Sequence, residues 1–212
     1  MSNQTFYFGI NDTLEGDYRS RAPFTPTSMT LFDAWNDAQL DPTIADPQLA
    51  ARTAAARSAV ARGQKLFDSK PIQIRGVSGL NDDLNLATIP GTCTTCHNAP
   101  NIGNHSVPLP LNIGVADAAR RTPDMPLYTL RNKTTGETVQ TTDPGRALVT
   151  GKWKDIERFK GPILRDLAAR APYFHNGMAK DLGEAVEFYN TRFEIGLTAE
   201  ESADLVAFLR TL

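Results

Sequence analysis

The sequence predicts a mainly α chain with long irregular loops and an extended N-terminal arm. Three observations carry that prediction: two late segments with helical apolar spacing and their own caps, an alanine-rich run that opens after an Asp-Pro pair, and Pro-, Gly- and Asn-rich stretches between them. At 212 residues the chain is long enough for a sizeable core plus an irregular extension. It is 41% apolar and 22% charged, and a net charge of −2 without a basic cluster leaves no electrostatic footprint for nucleic acid. No apolar run approaches the ~20 residues that span a bilayer, so no membrane span is expected.

Residues 1–47 are rich in Thr, Pro, Asp and Asn and show no sustained period, with scattered aromatics at Phe6, Tyr7, Phe8, Tyr18, Phe24, Phe32 and Trp35. They read as an extended arm that packs these rings on a missing or partner domain. The remainder, 48–212, is expected to form one domain. Asp46-Pro47 supplies an N-cap and a first-turn proline for its first helix, on which Val60, Gly63 and Phe67 recur at helical spacing. Gly63 offers a bare patch for close approach of another helix. The stretch from Ser69 to Asn85 reads as loop, Asn98 to Pro126 as irregular structure, and Lys133 to Thr142 as a small hairpin. Asp181 caps a helix with Leu182, Ala185, Val186 and Tyr189 on one face, and Glu184 is placed to close a capping box with it. Thr198 and Glu201 form a second box before the stripe Leu205, Phe208, Leu209 and Leu212. A crossing of the Gly63 helix with the Phe208 helix is the pair on which the domain is expected to be built.

The most specific chemistry lies in Cys93-Thr94-Thr95-Cys96-His97, which reads as an attachment site for c-type haem. Two thiols separated by two residues sit on one turn, so each can add to one vinyl group of the same porphyrin, and the following histidine reaches the iron from one face. Zinc would need four N or S ligands, yet the chain has two cysteines and three histidines (His97, His105, His175) and no second CxxC. A dithiol redox motif follows a strand in a βαβ unit, whereas here the approach is Ile89-Pro90-Gly91. One covalent haem c is therefore expected, and with it a cytochrome c-type haem domain. Thioether formation requires export and a ligation system, which implies a periplasmic or otherwise extracytoplasmic protein. Met1-Ser2-Asn3-Gln4 lacks the basic and apolar regions of a signal peptide, so a processed, re-cloned or truncated form is expected.

The stretch from Gly63 to Leu212 resembles the C-terminal haem domain of the bacterial di-haem cytochrome c peroxidases and of the related di-haem enzyme that matures methylamine dehydrogenase. The pieces that carry this occur in order: Gly63-Gln64-Lys65-Leu66-Phe67, the haem motif, Asn112-Ile113-Gly114-Val115, Asp143-Pro144-Gly145-Arg146, Phe159-Lys160-Gly161-Pro162-Ile163-Leu164-Arg165, Ala171-Pro172-Tyr173-Phe174-His175-Asn176-Gly177, Glu184-Ala185-Val186-Glu187-Phe188-Tyr189-Asn190, and Leu205-Val206-Ala207-Phe208-Leu209. Family enzymes carry two CxxCH motifs, one per domain, with peroxide chemistry at the N-terminal haem and electron entry at the C-terminal one. This chain has one motif. It is either the C-terminal half of a longer enzyme or a monohaem relative that keeps the electron-handling domain.

His97 is expected as the proximal iron ligand, its other ring nitrogen held by a backbone carbonyl. For the distal face, Tyr189 stands where the resemblance implies a ligand, methionine in the peroxidases and tyrosine in the maturation enzyme. From the residues alone it reads equally as a core tyrosine beside Leu182, Ala185 and Val186. Met178, after a His-Asn-Gly turn, is the second candidate, and Met125, in a Pro-flanked loop, ranks below it. The resemblance assigns His175 to hydrogen bonding near haem propionates, and His105 reads as a surface loop residue. Arg146 and Arg165 pair either with propionates or with surface carboxylates. Trp153 and Tyr173 line an electron path or simply pack. The function these features imply is electron transfer with a soluble donor or acceptor protein; the alternative is reduction of hydrogen peroxide, or oxidation of a protein substrate, within a longer di-haem enzyme. The resemblance also implies a second haem domain or a homodimer partner, and calcium at an interdomain site of which this chain would hold only part.

Overall fold

A computed structural model describes residues 29–98 and 109–212. In chain order its regular elements are α1 (Pro47–Ser69), β1 (Ile72–Ile74), β2 (Ile89–Gly91), β3 (Pro110–Leu111), β4 (Tyr128–Arg131), β5 (Thr138–Thr141), α2 (Ala147–Thr150), β6 (Phe159–Lys160), α3 (Leu182–Arg192) and α4 (Ala199–Leu209), with short 3₁₀ turns that include Asp33–Trp35 and Cys93–Thr95. The chain is thus mixed and irregular rather than mainly α. The described residues divide into two compact units, one of 29–73, 90–98 and 162–212, the other of 74–89 and 109–161. Among the described residues no helix is long and apolar enough to cross a membrane.

The first unit holds the three long helices and the hydrophobic core. Asp46 caps α1, its carboxylate accepting from Gln48 N and Leu49 N at 2.8 and 3.3 Å, with Pro47 in the first turn, as the sequence predicts. Gly63 lies at the α1–α4 crossing, where a Cβ would collide with the Asp204 carbonyl and lie 2.7 Å from Phe208 Cβ. That close approach lets the Phe67 and Phe208 rings meet at a tilt of 58° with centroids 5.5 Å apart, and Phe208 is fully buried. Ion pairs flank the crossing: Arg62 donates two bonds to Asp204 at 2.6 and 2.7 Å, and Lys70 reaches Glu201 at 2.7 Å. The Thr198–Glu201 capping box is present, with bonds of 3.1 and 2.9 Å. At α3, Asp181 accepts from Glu184 N at 2.9 Å, but the Glu184 carboxylate accepts from Lys180 N at 2.8 Å, so the expected box does not close. The nearby Lys180 ammonium, 2.7 Å from Glu184, draws the carboxylate to that side.

The described end of the arm packs within this same unit. Met29, Leu31 and Phe32 join the core, and Phe32 meets Phe208 edge-on at 6.1 Å. Gln64 of α1 fixes them from both ends of its amide: Oε1 accepts from Phe32 N at 2.9 Å and Nε2 donates to Asp33 at 2.7 Å. The rings of Phe6, Tyr7, Phe8, Tyr18 and Phe24 lie outside the described residues.

The second unit is held mainly by polar contacts. Arg158, 4% exposed, donates to Asp82 at 2.6 Å, to Asp83 at 3.2 Å and to Ser78 at 3.1 Å. Asn81 bridges Val77 N, Ile74 O and Leu86 O at 2.9 to 3.1 Å. β3 pairs antiparallel with β6, Pro110 opposite Lys160. The hairpin expected at 133–142 begins earlier: β4 pairs with β5, Tyr128 opposite Thr141, and residues 132–137 are its turn. Asn132 explains the shift, because its carboxamide oxygen accepts from Thr134 N and Thr135 N at 2.9 and 3.2 Å and caps the turn there. Residues 109–126 belong to this unit, and 99–108, including His105, lie outside the described residues.

Candidate haem-attachment site

Thr92 starts the turn that carries the motif. It forms a reciprocal cap with Thr95, its N–H donating to Thr95 Oγ1 at 3.0 Å, and its hydroxyl lies 2.7 Å from that of Thr94, which is buried. His97 N then donates to Cys93 O at 3.0 Å. Both cysteines are free thiols and partly exposed. Burial of their sulfurs pushes both pKa values up, Cys93 to about 12, so each is held as the protonated thiol at neutral pH.

His97 has the clearest electrostatic signature. Burial pushes its pKa down to about 4, which keeps the imidazole neutral, the form that ligates metals. Its Nδ1 is buried without a hydrogen-bond partner among the described residues, none of which supplies the backbone carbonyl expected to hold it. Phe67 of α1 lies 6.4 Å from the imidazole and Tyr189 of α3 stands edge-on to it at 6.2 Å. Burial pushes the Tyr189 hydroxyl pKa up, which holds it as the neutral phenol. Around Tyr189 are Phe188 at 5.3 Å, Phe174 at 6.0 Å and Phe193 stacked at 6.2 Å. Phe174 takes a φ of 66°, a costly conformation for a bulky residue, sustained by its packing on Phe188 at 4.8 Å.

The structure therefore brings together Cys93, Cys96, His97 and Tyr189. Met178 is half-buried at the end of the His175-Asn176-Gly177 turn, its N–H donated to Asn176 Oδ1 at 3.2 Å. Tyr173 donates its hydroxyl to Leu167 O at 2.7 Å. Arg165 and His175 are exposed in the first unit; Met125, Arg146 and Trp153 belong to the second, where Arg146 pairs with Asp155 at 3.6 Å. Among the described residues no three His, Cys, Asp or Glu side chains cluster as a metal-ion site requires.

Asp68 is the site residue that sequence reading missed. It lies one turn beyond Gln64, its Oδ2 accepts from Met29 N at 2.9 Å, and its Oδ1 is buried without a partner among the described residues. Burial, reinforced by the like charge of Asp33, pushes its carboxyl up to about 7. A signal was available: Gln64 and Asp68 follow Val60 at intervals of four, which puts two polar residues on the buried stripe of α1.

The donor set fits a thioether-bound porphyrin. Two thiols and a neutral imidazole share one turn, with an aromatic wall of Phe67 and Tyr189. The His97 and Tyr189 rings face each other edge-on with centroids 6.2 Å apart. Comparison with curated proteins agrees in kind. Over 142 residues the chain is 32% identical to cytochrome-c peroxidase IdrP2 of Denitromonas iodatirespirans, covering 62% of this chain and 38% of that protein. This chain is a homologue of part of the bacterial cytochrome c peroxidases. It is also 35% identical over 124 residues to the cytochrome c551 peroxidase of Nitrosomonas europaea, and 34% identical over 122 residues to the cytochrome c peroxidase Ccp of Escherichia coli. Each of these two matches covers 57% of this chain, and they cover 30% and 22% of the relatives. The peroxidase-like chain thus spans between 22% and 38% of the length of these relatives. No protein-family model and no solved structure matches it.

Proposed function

We propose that the chain carries one covalent haem c on Cys93, Cys96 and His97 and serves as an electron-transfer unit outside the cytoplasm, in the periplasm, related to the electron-entry domain of the di-haem cytochrome c peroxidases. The observation that carries this is the Cys93–His97 turn, where two free thiols lie beside a neutral imidazole whose buried Nδ1 has no partner among the described residues. Cys93 and Cys96 would each lose a thiol proton to a vinyl group as the carbon–sulfur bond forms. His97 would bind iron, its burial keeping the ring deprotonated down to about pH 4. The haem supplies one-electron chemistry at its iron. Phe67 and the α3 aromatics keep water from the imidazole face, and Tyr189 or Met178 is the sixth-ligand candidate, of which Tyr189 is the one against His97. The exchanging partner would be a soluble donor or acceptor protein.

A second reading, peroxide reduction or oxidation of a protein substrate within a longer di-haem enzyme, is favoured by the relatives being cytochrome c peroxidases and by the chain's short span of them. A pyridine haemochrome assay and intact mass of protein matured with a haem-ligation system test the first claim: one haem per chain is expected, and bare polypeptide would overturn it. Ferric and ferrous spectra then separate the two readings, since a low-spin spectrum indifferent to cyanide and peroxide supports electron transfer. Comparing Tyr189→Phe with Met178→Leu identifies the sixth ligand, because only loss of the true ligand changes the ferric spectrum.

A further inference from the structure

Helix α1 carries two polar side chains one turn apart, Gln64 buried and Asp68 half-buried, and among the described residues only Gln64 is satisfied at both ends. The Gln64 amide is bonded at both ends, to Phe32 N and Asp33. Asp68 has one oxygen on Met29 N at 2.9 Å, and the other is buried with no partner among the described residues. Its charged surroundings are unfavourable to a carboxylate. Asp33 faces it from the arm with a like charge, and the Cys93 thiol feels its field from the haem turn. On its own helix, Lys70 is taken by Glu201 at 2.7 Å and Lys65 is exposed. Phe67, the residue before it, lies 6.4 Å from His97. A half-buried carboxylate with no counter-charge among the described residues is costly, and that cost depends on the charge at the neighbouring turn.

Resting on the haem assignment above, we propose that Asp68 is a redox-linked proton site: it takes up a proton when an electron is added at the haem held by Cys93, Cys96 and His97, and releases it when the electron leaves. A ferric centre offsets the negative charge of Asp68; reduction removes one positive charge and raises the carboxylate's proton affinity. The step balances with one electron from an electrode or mediator dye and one proton from bulk water. Only the O–H bond on the carboxyl forms, and the iron alone changes oxidation state. Burial already brings the carboxyl to about 7, inside the range where such exchange operates near neutral pH.

Midpoint potential measured against pH from 5 to 9 on the haem-loaded protein tests this. The wild type is expected to fall between two plateaus, and a tenfold difference in proton affinity between the redox states separates them by about 59 mV. Asp68→Asn keeps an acceptor for Met29 N and is expected to flatten the curve. Asp33→Asn removes the like charge and is expected to keep the fall while moving it to lower pH. Infrared difference spectra on reduction should show a carboxylic acid carbonyl in the wild type that Asp68→Asn lacks. A pH-independent wild-type potential in protein with confirmed covalent haem overturns the proposal while leaving the haem reading intact. So does a fall that survives in Asp68→Asn, which would belong to other groups such as propionates. Failure to find covalent haem overturns the haem reading itself, and this proposal with it.

Discussion

Replacing Gly63 by alanine tests whether backbone contact sets the α1–α4 crossing. A Cβ at this position would run into the Asp204 carbonyl and sit 2.7 Å from Phe208 Cβ, and neither obstacle can rotate away. The helices must therefore separate, which loosens the 5.5 Å contact between Phe67 and Phe208 at the centre of the core. Overpacking a rigid site costs about 1–3 kcal/mol, and a backbone obstacle puts this case at or above the upper end. Alanine returns about 1 kcal/mol through its better helix propensity. The net expectation is a loss of about 2 kcal/mol, which at roughly 2–4 °C per kcal/mol lowers Tm by about 4–8 °C. Urea and thermal unfolding followed by far-ultraviolet dichroism read this directly. An alanine variant as stable as the parent, or more so, would refute the argument, because propensity would then outweigh contact.

Three further outcomes follow from named contacts. Gln64→Ala leaves Phe32 N buried without its acceptor, at a cost of about 1–3 kcal/mol, and should speed limited proteolysis within residues 29–46; an unchanged cleavage rate would show the amide clamp to be idle. Arg158→Met should cost about 2 kcal/mol, below the ~3–5 of a broken fully buried pair, because the Asp82 and Asp83 side chains keep 49% and 40% exposure and rehydrate. Faster hydrogen exchange at Gly79 N, bonded to Asp82 at 2.6 Å, would report it. In the polypeptide before haem attachment, stability between pH 4 and 6.5 reflects two opposed groups. Asp68, raised from 3.8 to about 7, holds its proton in the folded state while the unfolded state loses it, so its contribution is complete below about 3.8 and disappears as pH rises to about 7. His97, lowered from 6.5 to about 4, contributes stability above 6.5 that is lost as pH falls to about 4. Urea midpoints of Asp68→Asn should therefore climb more steeply with pH across this window than those of the parent; identical slopes would contradict the sign of the Asp68 shift.

Local signals in the sequence located the helices well because their causes are local. Asp46-Pro47 supplies both a cap and a first-turn proline, and Thr198 with Glu201 closes a box within one turn, so neither depends on distant chain. At α3 the same logic misassigned Glu184, because the lysine at 180 offers both an N–H and an ammonium to the carboxylate. The hairpin was misplaced by a few residues for a similar reason: the Asn132 side chain, not strand propensity, decides where the turn lies. What could not be read locally were contacts between remote segments. Arg158 meets Asp82 and Asp83 across more than seventy positions, and Asp68 meets Met29 across 39. At the candidate site, the Cys93–His97 motif could be read outright, and the resemblance singled out Tyr189 beside it. The lack of an Nδ1 acceptor among the described residues and the buried Oδ1 of Asp68 are features of surroundings, which spacing does not encode.

These features converge on one stretch of α1, and that has a physical consequence. Between Val60 and Asp68 the helix supplies the gap that admits α4, the ring that walls His97, and the two polar groups that hold the arm. Each of these depends on where the helix sits, since a shift that relieves a Cβ at Gly63 also moves Phe67 on the imidazole and Asp68 under Met29. Energies of residues that share a rigid element do not add. Gly63→Ala and Asp68→Asn should accordingly show a coupling energy in a double-mutant cycle of about 0.5 kcal/mol or more, although their side chains do different work. Were the two additive, α1 would be deforming locally around each substitution rather than moving as a unit. A charge change at the haem turn could then not reach Asp68 through the packing of Phe67, and would have to act through the field alone.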